Sequence, residues 1–257
     1  MTVVLMTGAT SACPKAETWQ KIDWVKAEAH VYRLQVRIAE AVNEGRYGKA
    51  KALQWLLTKS HYAKLLAVKR VTSSKGSKTP GIDGEILTSC KAKYKAINSL
   101  NTRWYQSSPL RRVHIPKRNG KTRALGIPTI RDRAMQALHL QALEPIAETT
   151  GDLNSYGFRR GRSQQDAVVQ CYTALSRKNC AEWVLEADIK ACFDEISHDW
   201  LLQNIPVDKG VLQQWLNAGF MEKDFFYDID AGVPQGSLCK ALHKPPYAKK
   251  RIMQSKA

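Results

Sequence analysis

The sequence predicts an α+β fold in which helices come first and a mostly antiparallel sheet follows. Two amphipathic patterns before residue 72 indicate helices. A hairpin pattern at residues 110–129 and a strand pattern at residues 183–188 indicate the sheet. At 257 residues, the chain is long enough to bury one large core or two small ones.

The chain is expected to begin with a loose leader over residues 1–18, and the first helix follows it. This helix is predicted over about Asp23–Asn43, because Asp23 is a suitable N-cap and Gly45 is a suitable stop. Its apolar stripe recurs at helical spacing: Val31, Leu34, Ile38 and Val42.

A second helix is predicted from about Tyr47 toward Val71, with a break at Ser60. Its polar face is basic and is either simply solvated or in contact with RNA. Residues 72–84 contain the pairs P-G and D-G, which mark turns, so this stretch predicts a loop. Residues 87–108 have a weaker pattern, which favours a helix and then a connector.

Leu110–Thr129 predicts a β-hairpin that turns at Asn119-Gly120, a pair typical of two-residue turns. Basic side chains crowd this stretch: Arg111, Arg112, Lys117, Arg118, Lys121 and Arg123. A helix at about residues 131–148 is expected next.

Residues 156–163 (YGFRRGRS) form a basic, aromatic stretch that is expected to be a loop. Ser163 and Asp166 have the spacing of a capping box, which predicts a helix through Leu175. Another helix is predicted at Val211–Ala218, and a second hairpin at Phe225–Val233.

The stretch Trp183–Trp200 (WVLEADIKACFDEISHDW) organises the rest of the chain. Its alternating start predicts a short strand that places Asp188 at the carboxyl end. A carboxylate there can hold Mg²⁺, which prefers oxygen ligands. The alternative is an aspartate that caps a helix or meets water.

The charge balance points to a polyanionic partner. Lys and Arg number 40, Asp and Glu number 23, and the formal net charge is +17. Nucleic acid is the commonest large polyanion, although a basic protein kept soluble by its charge is the alternative. The cysteines lack CxxC spacing, so a zinc site is not expected. Without a secretory signal or a long apolar span, a cytoplasmic protein with reduced thiols is expected.

Several of these stretches, taken in order, resemble the reverse transcriptases of mobile group II introns, the intron-encoded reverse transcriptase–maturases. The matching stretches are Ile22-Asp23-Trp24, residues 65–84, residues 110–148, residues 155–167, residues 183–200 and residues 232–237. They are spread along nearly the whole length of residues 19–237. Each stretch alone is weakly specific, but their order is highly specific.

The resemblance implies right-hand polymerase fingers and an incomplete palm. It makes Asp188 the first catalytic, Mg²⁺-binding aspartate, with the backbone carbonyl of Ile189 beside it. It gives nucleotide-binding roles to Lys117, Arg123, Phe193 and Gln235. Lys117 and Arg123 would grip the triphosphate and Phe193 would exclude a 2′-hydroxyl, although surface cations and core packing are the respective alternatives.

The resemblance and the charge pattern also imply RNA-binding residues: Lys69, Arg70, Arg111, Arg112, Arg159, Arg160 and Arg162. The partners implied are RNA (intron RNA and an RNA template), a DNA primer and deoxynucleotides, with no membrane. The implied organisation is a leader at residues 1–18, a helical N-terminal extension at 19–75, a connector at 76–108, fingers and partial palm at 109–237, and a divergent basic tail at 238–257.

The resemblance stops near Ser237. The family continues with a Tyr-x-Asp-Asp hairpin that supplies a second carboxylate, but this sequence contains no Asp-Asp pair. Two-metal catalysis needs both acids, so this chain alone is expected to be inactive. A truncated or frameshifted copy is the simplest interpretation. An apolar sheet edge left unpaired beside Asp188 would favour self-association.

Two other functions stay open at this point. One is an RNA-binding, maturase-like module that performs no chemistry, and the other is a decayed remnant. Primer extension separates the polymerase from both, and salt-dependent RNA binding separates the module from the remnant.

Overall fold

The computed structural model describes residues 17–116, 120, 122–157, 159–180, 182–187 and 194–233. The helices are α1 (Glu17–Gln20), α2 (Trp24–Asn43), α3 (Tyr47–Lys59), α4 (His61–Ser73), α5 (Cys90–Ser99), α6 (Ile130–Thr150), α7 (Gln164–Leu175), α8 (His198–Asn204) and α9 (Lys209–Leu216). The strands are β1 (Leu110–Pro116), β2 (Thr122–Ile127), β3 (Phe220–Glu222) and β4 (Phe225–Tyr227). The predicted α+β fold is confirmed.

The N-terminal helices follow the predicted signals. The Asp23 side chain accepts a hydrogen bond from the Lys26 amide at 2.9 Å, and α2 begins at the next residue. Gly45 has φ +71°, the left-handed conformation that suits a residue just after a helix. Ser60 is extended and separates α3 from α4. The predicted stripe of α2 is buried: Val31, Leu34, Ile38 and Val42.

Helix α6 is the centre of the core and packs against α2, α3 and α4. Its residues are buried on most sides, including the polar residues Asp132, Gln136, His139 and Gln141. Gln141 shows how such a residue is accommodated, because its Nε2 donates to the Ala63 carbonyl at 3.1 Å. None of the described helices is long and apolar enough to cross a membrane.

The sheet has the strand order β2-β1-β3-β4. β1 pairs with β2 in the predicted antiparallel hairpin, and β3 pairs with β4 in another. β1 and β3 are parallel, with Leu110 opposite Phe220. The second hairpin lies earlier than the predicted Phe225–Val233. The reason is that Lys223 and Asp224 adopt φ of 50° and 68° and make the turn that joins β3 to β4.

The prediction of a strand at residues 183–188 is wrong over residues 183–187, which are the part that the structure describes. Residues 182–187 lie in no sheet, and Trp183 and Leu185 are each 91 % exposed. A strand needs a neighbour to bond its amides and carbonyls, and none of the described strands lies beside this segment. Asp188 itself lies outside the described residues.

Candidate nucleic-acid interface

The β1–β2 hairpin presents arginines on both of its faces. Arg112 lies on the same side of β1 as His114, and its guanidinium is 3.4 Å from the centre of the Phe220 ring. Glu222 of the neighbouring strand β3 also contacts β1, since its Oε1 lies 2.8 Å from Nε2 of His114. Strand alternation places Arg111 on the opposite face, as it does Arg123, which pairs with Ile115. The sheet therefore carries fixed positive charge on both sides.

A second group of four arginines forms ion pairs with two glutamates of α6, Glu144 and Glu148. Arg70 and Arg160 lie 3.6 and 3.4 Å from the carboxylate of Glu144. Glu148 holds the other two members of the group, Arg159 at 2.9 Å and Arg162 at 3.2 Å. Four arginines on two carboxylates leave a local excess of positive charge, which suits a phosphate backbone.

Arg159 differs from the other members of this group because its side chain is only 3 % exposed. Its Nη1 donates to the Ala147 carbonyl at 3.0 Å and so fixes the C-terminal end of α6. This burial argues against the direct RNA contact expected from the sequence. The side chain of Arg160 is 76 % exposed and remains available to a ligand.

Lys69, the last of the expected RNA-binding residues, lies on α4. Its Nζ is 3.1 Å from Glu28 Oε1 and 4.5 Å from the centre of the Trp24 ring. This cation–π contact places the ammonium beside an aromatic ring, an arrangement also used on single-stranded nucleic acid.

The other predicted site residues lie outside the described part of the chain: Asp188, Ile189, Lys117, Phe193 and Gln235. Among the described residues, no group of three or more His, Cys, Asp or Glu side chains could hold a metal ion. The donors proposed at positions 188 and 189, a carboxylate and a carbonyl oxygen, are of the type that Mg²⁺ prefers.

A buried polar network at the base of β1 was not found from the sequence. Asp132 accepts hydrogen bonds from Tyr105 Oη at 2.7 Å, Thr129 Oγ1 at 2.7 Å and the Ser108 amide at 3.2 Å. Trp215 Nε1 donates to Tyr105 Oη at 2.8 Å. Burial raises the pKa of Asp132, and these hydrogen bonds partly offset that effect. The network joins α6 and α9 to the residues that lead into the hairpin.

Arg133 fixes the loop that precedes α5. Its Nη1 donates to the Gly76 carbonyl at 2.8 Å, its Nη2 donates to the Thr79 carbonyl, and its Nε donates to the Pro128 carbonyl at 3.1 Å. Arg133 is half-buried between these carbonyls and holds the loop that contains Gly76 and Thr79 against the start of α6.

His139 should make stability depend on pH. Burial lowers its pKa to about 4, with a smaller opposing effect of Asp208, whereas an unfolded histidine titrates near 6.5. The unfolded chain therefore binds the proton more readily, and the free energy of unfolding falls as pH drops from 6.5 toward 4. We expect the wild type to lose about 3 kcal/mol more than His139→Leu over this range.

Urea unfolding of both proteins at pH 7, 5.5 and 4 measures this difference. Other titrating groups, including Asp132, are common to the two proteins and cancel in the comparison. Stability curves that stay parallel from pH 7 to pH 4 would contradict the assignment to His139.

The described residues combine a helical N-terminal unit with a hairpin that carries several arginines. Family models match these parts of the chain, since residues 19–100 match the N-terminal domain of reverse transcriptase and residues 115–240 match reverse transcriptase (RNA-dependent DNA polymerase). The chain belongs to the reverse transcriptase family, within the group whose members are encoded by group II introns.

Curated relatives are consistent with this membership. Protein YkfC of Escherichia coli is 38% identical over 67% of this chain and 49% of its own length. Group II intron-encoded protein LtrA of Lactococcus lactis is 36% identical over 69% of this chain and 31% of its own length. The putative COX1/OXI3 intron 1 protein of Saccharomyces cerevisiae is 34% identical, over 69% and 22% respectively. The chain thus spans about half the length of YkfC and less of the other two.

Proposed function

We propose that this chain is the RNA-binding N-terminal and fingers part of a group II intron reverse transcriptase, which copies RNA into DNA. The observation that carries the proposal is the β1–β2 hairpin, on which Arg111, Arg112 and Arg123 present charge to both sides. The second arginine group, which pairs with Glu144 and Glu148 of α6, adds positive charge beside α4.

In this proposal, Asp188 and the Ile189 carbonyl hold Mg²⁺, which supplies charge stabilisation during phosphoryl transfer. Lys117 and Arg123 bind the triphosphate of the incoming deoxynucleotide. Phe193 excludes a 2′-hydroxyl, and Gln235 lies near the new base pair. These roles come from the family resemblance.

The proposal predicts salt-dependent binding of single-stranded RNA. Each phosphate contact contributes about 0.7 to the slope of log affinity against log salt concentration. The double variant Arg111→Ala/Arg112→Ala should therefore lower that slope by about 1.4 and weaken binding. Fluorescence anisotropy of a labelled oligonucleotide at several salt concentrations measures both quantities.

The control for this experiment is Arg177→Ala, since the exposed Arg177 lies outside both arginine groups. Wild-type protein that shows no salt-dependent binding to RNA would overturn the proposal. A double variant that keeps the wild-type slope would exclude the hairpin as the contact.

Primer extension with Mg²⁺ and deoxynucleotides tests the catalytic half of the proposal. Two carboxylates are needed, and the sequence contains no Asp-Asp pair, so we expect this chain alone to bind RNA without extending a primer. Extension that is abolished by Asp188→Asn would contradict this expectation and show that the chain is a complete catalyst.

Self-association is a further part of the proposal, but residues 182–187 form no strand, so the contact is assigned to their exposed side chains and not to an unpaired sheet edge. Trp183 and Leu185 are each 91 % exposed, and α7 has no buried residue. Apolar surface of this kind favours contact with another chain.

A further inference from the structure

A cleft of about 630 Å³ lies between α3 and the C-terminal half of α6, and residues 206–209 also line it. Its volume is within the range of pockets that hold small ligands. Gln54 spans its inner side, where Nε2 donates to the carbonyls of Ala142 at 3.2 Å and Pro206 at 2.9 Å. Gln54 therefore holds together the elements that form the cleft, and the residues that line it include no member of either arginine group.

The cleft combines exposed aromatic rings with an apolar interior. Tyr47 and Trp55 line it and are 67 % and 61 % exposed. Ala142 and Ile146 contribute the apolar surface from α6. An exposed aromatic face beside apolar surface is the kind of platform on which an unpaired base stacks, because every base has a π-face.

The charged groups around the cleft favour an anion. Lys51 and Lys209 line it, and Lys59 lies with its Nζ 5.9 Å from the centre of the Trp55 ring. Helix α3 contains no acidic residue, and the one acid among the lining residues, Asp208, caps α9 by accepting from the Val211 amide at 3.1 Å. Burial and then repulsion by Lys51 lower the pKa of Lys209, whose Nζ also donates to the Ile205 carbonyl at 3.0 Å.

His139 supplies a polar group without a partner. It lines the cleft and is 5 % exposed, and within the described residues its Nε2 has no hydrogen-bond partner. An unpaired buried nitrogen is costly, and a ligand with polar edges can satisfy it. A purely apolar protein segment would leave His139 Nε2 unpaired.

We propose that this cleft binds one unstacked nucleotide of a single-stranded RNA. The base stacks on Trp55, its polar edge faces His139, and the flanking phosphates contact Lys51 and Lys209. This inference rests on the proposed RNA-binding function and adds a site on α3 at which an unpaired base is selected over a duplex.

The test compares the affinity of the full chain for a short single-stranded oligoribonucleotide and for a blunt RNA duplex of the same length. Trp55→Ala should weaken single-strand binding about tenfold, as expected for the loss of one stacked base, and leave duplex binding unchanged. Lys51→Glu should weaken single-strand binding as well and lower its salt slope.

The matched control is Trp104→Ala. Trp104 is 74 % exposed but does not line the cleft, so its loss should change either affinity less than twofold. Thermal melting checks that each variant is folded. Both tryptophan side chains are exposed, so their replacement by alanine should leave the fold intact.

The outcomes separate the two proposals. Wild-type affinity in both Trp55→Ala and Lys51→Glu would overturn the nucleotide cleft and leave RNA binding by the arginines intact, with the cleft then better suited to a protein segment. An equal loss of single-strand and duplex affinity would overturn the selection of an unpaired base. Absence of RNA binding by the wild type would overturn the proposed function itself.

Discussion

Replacing Asp132 with alanine is expected to lower the free energy of unfolding by about 3 kcal/mol. The Asp132 carboxylate accepts hydrogen bonds from Tyr105, Thr129 and Ser108, and Asp132 is only 2 % exposed. Its removal leaves these donors without their acceptor in the interior, where each unpaired group costs about 1–3 kcal/mol. Relief of the buried charge offsets part of the loss.

Urea denaturation followed by circular dichroism measures this change. Tyr105→Phe should cost less, about 1–2 kcal/mol, because it removes one hydrogen bond to Asp132 and leaves Trp215 Nε1 unpaired. Asp230→Ala is the matched control, since Asp230 is exposed and its loss should change stability by less than about 0.5 kcal/mol. If Asp132→Ala proves as stable as this control, the network does not hold the base of the hairpin.

The second large effect is expected from Gly81→Ala. A Cβ at Gly81 would lie 2.6 Å from Thr129 Cα and 2.7 Å from Thr129 N, both backbone atoms that cannot turn aside. The loop must then move away from the start of α6, where Arg133 holds its carbonyls. We expect a loss of about 3 kcal/mol, at the upper end of the usual range for overpacking.

Gly48→Ala provides the control for this change. Gly48 lies in α3 with nothing within 4 Å of its Cβ position, so alanine there should stabilise the helix by about 0.5–1 kcal/mol. Thermal melting of the two variants should therefore shift in opposite directions. A Gly81→Ala protein that melts with the wild type would show that the loop can withdraw from α6 without cost.

The helices that cover one side of the core could be predicted from the sequence. In α2, the apolar stripe is regular and Asp23 and Gly45 mark the ends, so period and caps agree. The capping box of α7 was also predictable, because Ser163 and Asp166 bond reciprocally within four residues. Local signals suffice where the partner groups are local.

Helix α6 shows where such reasoning ends. It is buried on most sides, so it has no single stripe, and its polar residues Asp132 and Gln141 find partners that are far away in sequence. Asp132 is the clearest case, since its network reaches Trp215 through Tyr105, 110 residues apart. The parallel pairing of β1 with β3 is equally non-local. The signal that could have drawn attention to the network is Asp132 itself, an acid three residues after the Thr129 cap.

The candidate site divides in the same way. Arginine positions could be read from the hairpin and from residues 156–163, but their separate roles could not. Burial makes Arg159 an anchor for α6 while Arg160 stays exposed. Trp55 and His139 were missed because a cleft between two helices produces no periodic pattern in the sequence of either helix.

The parallel bond between β1 and β3 imposes an order on biosynthesis. After Leu110 has been added to the chain, the ribosome must add about 110 more residues to reach Phe220, which takes roughly 5–20 s at typical elongation rates. Helices α2 to α6 are all made before then and can assemble ahead of the completed sheet. Until β3 is made, the edge of β1 that it will cover has no partner, and an unpaired strand edge can pair with another chain.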